Sequence, residues 1–380
     1  MTNKELGAEM NQDRRSRPTV VVIGGGYGGV NVAKALDADA EVVLVEPKDA
    51  FVHNIGALRA LVDPTFLPKI FLPYDHLLAH GRVARDRAVD VTAHRVVLAS
   101  GEAITADYIV LATGSTYPFP AKSNAHDAED AIDNYRAAHD ELTRADRVLL
   151  IGAGPVGIEL AGEITARWPD KHVTLLDFSD DVLGDRFRAD LRAELRQQLV
   201  DRGVELVLGD GLRGLPPTVA SELGTFTVTT SFGREITADI WFQCFGVSPV
   251  SDYLSDDLAN ARRSDGYVTV GPALQVAGHE NVFAIGDVST ADAKMAGMAG
   301  MQAQLVAENI IKMVNGNNTL NPYEPFGPAI VVPIGPDGGS GQLPGQDELA
   351  SRDMVATVKG RDLMVDRYEE VLGLTTPISN

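Results

Sequence analysis

The 380-residue sequence contains one cysteine, Cys244. An intramolecular disulfide, a CxxC redox pair and a Cys-rich zinc site are all excluded. Positive charge is scarce as well. Lys and Arg number 33 against 53 Asp and Glu, a formal charge of −20, which argues against electrostatic binding to nucleic acid or bare anionic lipid. No apolar run approaches the roughly 18 to 20 residues of a spanning helix. Residues 1–17 have no apolar stretch of the secretory kind and are expected to form a mobile tail, and Thr2 excludes N-myristoylation. Neither a GxSxG elbow nor a Walker loop occurs. These absences point to a cytoplasmic protein and leave peripheral membrane contact open.

What is present is patterned. With 44% hydrophobic and 23% charged residues the chain can build sizeable cores, enough for two or three domains at about 150 residues each. The β-branched run Thr19–Ile23 reads as a strand buried on both faces of a parallel sheet. Gly24-x-Gly26-Tyr27-Gly28-Gly29 follows it, then a helix from Val30, then a strand over Glu41–Val45 that ends at Glu46. Such glycines permit a tight turn and close approach of the backbone to a pyrophosphate. The helix N-terminus offers free N–H groups, and the acid at the end of the second strand is placed for ribose hydroxyls.

The pattern recurs 128 residues later. Arg147–Ile151 is a strand, Gly152-x-Gly154-Pro155-Val156-Gly157 is the turn, a helix follows, and the next strand ends at Asp177. A carboxylate at Asp177 accepts from a 2′-hydroxyl and repels a 2′-phosphate, so NADH is favoured over NADPH. Two such sites in one chain suggest electron transfer between two dinucleotides, FAD and a nicotinamide nucleotide. Ile109-Val-Leu-Ala112-Thr113-Gly114-Ser115 and Ala284-Ile-Gly286-Asp287 assign FAD to the first site. Their order, GxGxxG, ATG, GxGxxG, GD, implies an NADH domain inserted into a discontinuous FAD domain.

The expected architecture is α/β with two Rossmann-like domains and a small C-terminal α+β module. Residues 18–120 and 253–322 would bind FAD, 121–252 would bind NAD(P)H, and 323–380 would form the module, with strands near Met354–Val358 and Asp362–Arg367. A helix after Asp287 would aim its positive end at the isoalloxazine. Lys294, Met295 and Ala296 stand at its start. Met295, Met298 and Met301, three apart, either pack in the core or line an apolar pocket for a flat acceptor. His76 and His80 would share one helical face, with no third metal ligand apparent, so no metal is expected. Cys244 reads as an inert buried thiol.

Several segments carry a resemblance. Lys48-Asp-x-Phe-x-His53-Asn-x-x-Ala-Leu-Arg59, Leu111-Ala-Thr-Gly-Ser-Thr-x-Pro-Phe-Pro120, Asn281-Val-x-Ala-Ile-Gly-Asp287, Lys294-Met-Ala296, Pro322-Tyr323 and Gly341-Gln-x-x-Gly345 resemble one family over about Pro18 to Leu374. It comprises the apoptosis-inducing-factor-like flavoproteins of the ferroptosis-suppressor type, within the pyridine-nucleotide-disulfide-reductase fold group. More distantly the chain is similar to type II NADH dehydrogenases. The resemblance implies hydride transfer from NAD(P)H to FAD and then reduction of a ubiquinone- or menaquinone-type quinone. It implies that Lys294 assists at the flavin and that Glu159 positions the nicotinamide. His53 and Arg59 would lie near the flavin, Pro47 and Lys48 would join the FAD site behind Glu46, the backbone at Val83 would meet the adenine, and Gly246 would border the NADH site.

Three positions depart from the family pattern. Thr2 replaces the myristoylated glycine of membrane-attached members. Ala299-Gly-Met-Gln-Ala-Gln304 interrupts the quinone motif of type II NADH dehydrogenases, and the second ATG-like turn reads Cys244-Phe-Gly246. The resulting expectation is an FAD-dependent NADH:quinone oxidoreductase, monomeric or homodimeric, with slow oxygen reduction on the side. The alternatives are a reductase of a small iron–sulfur or rubredoxin-type carrier and an NADH-responsive redox sensor.

Overall fold

A computed structural model of the chain describes residues 17–375; the expected tail, apart from Arg17, lies outside them. The chain divides into two compact units. Unit 1 comprises the chain up to Lys48, Tyr74–Ser115 and Pro249–Pro325. Unit 2 comprises Asp49–Pro73, Thr116–Ser248 and the chain from Phe326 onward.

Unit 1 is built on a five-stranded sheet. Its order is Val282–Ala284, Tyr108–Leu111, Thr19–Ile23, Glu41–Val45, Arg82–Ala84, and every neighbouring pair is parallel. Val20, Val21 and Val22 have no exposed surface, as a continuous apolar run requires when both faces are covered. The first fingerprint helix, Tyr27–Leu36, buries Val30, Ala33 and Leu36, and just beyond its end a carboxylate forms a knot. Asp37 accepts from the amides of Ala79 (2.6 Å), His80 (3.1 Å) and Gly81 (2.6 Å), and these bonds hold its pKa below the usual carboxylate range against the opposing cost of burial. The segment carrying His76 and His80 is therefore a turn rather than a helix. Among the described residues no group of three or more His, Cys, Asp or Glu could hold a metal ion.

Unit 2 repeats the plan with four parallel strands, in the order Glu205–Val207, His172–Leu176, Arg147–Ile151, Ile240–Gln243. Residues 49–73 fall in this unit. Leu61, Phe66, Leu67 and Ile70 share one core with Tyr135, Leu142 and Ile158. The C-terminal residues also join this unit instead of standing apart. Gly162 on the second fingerprint helix, Pro155–Arg167, lets the 330–342 hairpin approach, because a Cβ there would lie 2.7 Å from the Cα of Ile334. Buried Gln198 clamps the hairpin, accepting from the Gly339 amide at 2.7 Å and donating to its carbonyl at 2.9 Å.

The two last strands are absent. Arg352–Val355 and Val365–Val371 are helices, joined through a π-helical turn at Ala356–Gly360. Ser351 caps the first by accepting from the Met354 amide, and Val355, Ala356, Val365 and Tyr368 are buried at near-helical spacing. Among the described residues no helix is long and apolar enough to cross a membrane.

Candidate dinucleotide sites

The two fingerprints adopt one geometry. Gly24 and Gly152 sit at φ +102° and +112°, where an L side chain is strained. A Cβ on Gly24 would come within 2.5 Å of the Ala112 carbonyl oxygen, and one on Gly152 within 2.8 Å of that of Cys244. Cβ atoms at Gly29 and Gly157 would collide with the carbonyls of Gly24 and Gly152. These four glycines are thus set by packing. Gly26 and Gly154 differ: a Cβ there meets nothing within 4 Å. Both are the N-caps of their helices, neither supplies a side-chain cap, and no acid stands in either first turn. An open glycine at the positive end of a helix fits a pyrophosphate.

The acids occupy equivalent positions. Glu46 accepts from the Gly25 amide at 2.6 Å and the Lys48 amide at 3.0 Å; Asp177 accepts from Ala153 at 2.6 Å and Ser179 at 2.8 Å. Each carboxylate therefore orders its own turn, and its oxygens retain lone pairs for a ribose hydroxyl. Cys244 takes the place that Ala112 holds in unit 1. Its amide donates to Ile151 as Ala112 donates to Ile23, both at 2.8 Å, so Cys244-Phe-Gly246 is the structural counterpart of Ala112-Thr-Gly114. The thiol is buried, and burial pushes it up to about 12.

In unit 1, Tyr27, Gly28, Pro47, Val83, Ala112, Thr113, Gly114, Gly286 and Asp287 all belong to the same body. Thr113 donates to the Val250 carbonyl at 2.5 Å, and Ser115 donates to Asp287 at 2.6 Å. Lys294 is half-buried. Its ammonium donates to the carbonyls of Ser289 and Asp292 and lies 4.7 Å from the Tyr267 ring centroid. Burial lowers its pKa, opposed by the charges of Asp287, Asp292 and Asp265. Helix Ala296–Val314 begins after Met295, with neither a side-chain cap nor an acid in its first turn.

Sequence reasoning missed Gln302. Inside the interrupted quinone motif, it is buried and accepts from the Gly286 amide at 2.7 Å, tying the turn at Gly286 to this helix. Tyr323 is half-buried. Its hydroxyl donates to Asp292 at 2.8 Å, and burial raises its pKa to about 12. A buried glutamine in an otherwise apolar helix stripe was the available signal for Gln302.

Unit 2 holds Glu159, His53 and Arg59, and it uses their polar atoms internally. Lys359 donates to Glu159 at 2.7 Å; burial raises the carboxyl pKa, and the lysine opposes that shift. Arg59 pairs with Glu163, one turn along the same helix, and donates to the Gly360 carbonyl at 2.8 Å. The His53 ring has no exposed surface, donates from Nε2 to the Leu363 carbonyl at 2.7 Å and lies 5.1 Å from the Tyr368 ring. Burial lowers its pKa to about 4. Within unit 2, His53 and Arg59 both bond to the C-terminal segment.

Residues 18–308 match the family model described as pyridine nucleotide-disulphide oxidoreductase. The chain belongs to that family. It is 33% identical to ferroptosis suppressor protein 1 of Taeniopygia guttata, over 98% of this chain and 100% of that protein. Apoptosis-inducing factor homolog B of Dictyostelium discoideum is 30% identical, over 94% of this chain and 98% of that protein. Among solved structures, the water-forming NADH oxidase from Lactobacillus brevis bound to NADH superposes with a TM-score of 0.62 at 22% identity, covering 77% of this chain and 69% of that one, which speaks to the fold. Family and relatives together make the chain an FAD-dependent NAD(P)H oxidoreductase. With one cysteine, it does this without the redox disulphide in the family's name.

Proposed function

We propose that the protein oxidises NADH and reduces a quinone: NADH, a proton and quinone give NAD⁺ and quinol. The observation that carries this reading is the exit for electrons. The sole cysteine is buried, so no disulphide within the chain can receive them, whereas the start of helix Ala296–Val314 leaves open space. Gly297 and Gly300 have open space where side chains would be, Met301 is exposed, and Met298 is buried beneath. Similarity to ferroptosis suppressor protein 1 over nearly the whole chain supports a small-molecule acceptor over a protein carrier.

FAD, when bound, supplies the two-electron relay between nicotinamide and acceptor. The residues of this chain hold and orient the reactants. In unit 1 the helix N-terminus after Gly26 would hold the pyrophosphate, Glu46 a ribose, the Val83 backbone the adenine, and Gly286-Asp287 with Met295 and Ala296 the ring end. Lys294 would hold its ammonium beside that end. In unit 2 the amides of Val156 and Gly157, behind Pro155, would hold the second pyrophosphate, Asp177 would select the 2′-hydroxyl, and Glu159, held in place by Lys359, would orient the nicotinamide.

Anaerobic stopped-flow absorbance at 450 nm tests this. NADH should bleach the flavin rapidly, and a soluble quinone in a second mix should restore it rapidly. Bleaching without recovery would sink the quinone reading and favour a protein carrier or a redox sensor.

A further inference from the structure

Two phenylalanines in unit 2 stand almost fully in solvent: Phe178 is 80% exposed and Phe232 is 83% exposed. Covering a Phe side chain is worth about 1.5 to 3 kcal/mol. Two bare rings on one edge therefore call for an occupant. They lie far apart in sequence, yet one local structure joins them. Phe178 directly follows Asp177 at the carboxyl end of strand His172–Leu176. Phe232 is at the tip of the hairpin formed by Phe226–Thr229 and Glu235–Ala238.

Asp210 links the two. This carboxylate is only 8% exposed. It accepts from the Phe232 amide at 3.2 Å, while its own amide donates to the Asp177 carbonyl at 3.2 Å. Ser231 donates to the Gly211 carbonyl at 2.7 Å, and a Cβ on Gly211 would lie 3.6 Å from the Phe178 Cβ. The backbone segments that carry both rings are thus hydrogen-bonded together beyond the carboxyl ends of a parallel sheet, where such folds bind ligands. The ribose-binding carboxylate is the neighbouring residue. The group attached to that ribose is a planar purine, whose faces stack on aromatic rings.

We propose that Phe178 and Phe232 form the adenine-stacking platform of the NADH site, and that Asp210 is its positioning residue. This rests on the reading of unit 2 as the NADH site. The platform binds the nucleotide by a part that takes no share in hydride transfer, so it acts on affinity and not on the chemical step.

Calorimetric titration of the FAD-loaded protein with ADP-ribose, and separately with nicotinamide mononucleotide, tests this. Phe178→Ala and Phe232→Ala should each weaken ADP-ribose binding by about tenfold, the scale of removing one aromatic face from a stacked base. Affinity for the mononucleotide should stay within about twofold, since it carries no adenine. Phe178→Trp should keep ADP-ribose affinity, and Phe178→Leu should lose it as alanine does. Alanine variants that bind ADP-ribose like the wild type, or a leucine variant that retains full affinity, would overturn the platform. Wild-type protein that binds neither ligand would instead overturn unit 2 as the NADH site. Side chains this exposed leave the thermal midpoint of the variants near that of the wild type, and measuring it separates a binding loss from unfolding.

Discussion

Replacing Lys359 with methionine strands the Glu159 carboxylate. The side chains of the pair are 18% and 13% exposed, and the ammonium sits 2.7 Å from the carboxylate oxygen. Removing one partner of a buried pair costs about 3 to 5 kcal/mol. The residual exposure here argues for the lower end, about 3 kcal/mol. The loss must depend on pH. Burial already raises the Glu159 pKa, and Glu163 on the same helix raises it further, while Lys359 is the one cause pulling it down. Without the lysine the folded-state pKa climbs. The folded variant then holds a proton that the unfolded chain releases above its ordinary pKa, so stability falls as pH rises from that value through the raised one. The penalty of Lys359→Met should be full near pH 8 and shrink toward pH 5. Both tryptophans, Trp168 and Trp241, lie in unit 2, so their fluorescence during urea unfolding reports on this unit. With a urea slope of about 2 to 3 kcal/mol/M, the midpoint should drop by about 1 M at pH 8. Adding Glu159→Gln should recover most of the loss, because it removes the unpaired charge. A drop that is the same at pH 5 and pH 8, or a double variant no more stable than the single one, would refute the argument.

Other outcomes follow from the same geometry. His53 is neutral in the fold with a pKa near 4, so the unfolded chain binds a proton first as the solution is acidified. Unit 2 should lose roughly 3 kcal/mol between pH 6.5 and pH 4, and His53→Gln should flatten that slope in tryptophan-detected unfolding. Asp177→Ala should narrow the preference for NADH over NADPH by about tenfold in kcat/KM, the worth of one charge-assisted hydrogen bond; a wild type that already prefers NADPH would contradict this role. Lys294→Met should slow flavin reoxidation by quinone by about 10- to 100-fold while flavin absorbance is retained. Unchanged reoxidation would remove that lysine from the reaction.

Both nucleotide turns were legible because everything they need is close in sequence. Strand, glycines, helix and acid follow one another within about 30 residues, and each chemical demand falls on a residue type that few others replace. The methionine helix was placed to within one residue at its start for the same reason: its apolar periodicity is local. The C-terminal segment was not legible. Its apolar residues fit either period over so short a stretch, and the Ser351 cap and burial against the rest of unit 2 decided for helix.

Composition, charge, the single cysteine and the paired fingerprints were determined by the chain itself, and with them the class of chemistry: two dinucleotides and no protein disulphide. Tertiary structure decided the partners. Lys359 meets Glu159 across 200 residues, and His53 meets Leu363 across 310. Residues 49–73 join unit 2 because their apolar side chains pack in its core. Asp210 ties the Phe232 amide to the Asp177 carbonyl from separate loops. Pairings of this kind depend on which surfaces pack against each other, a property of the whole fold that no local run of residues encodes.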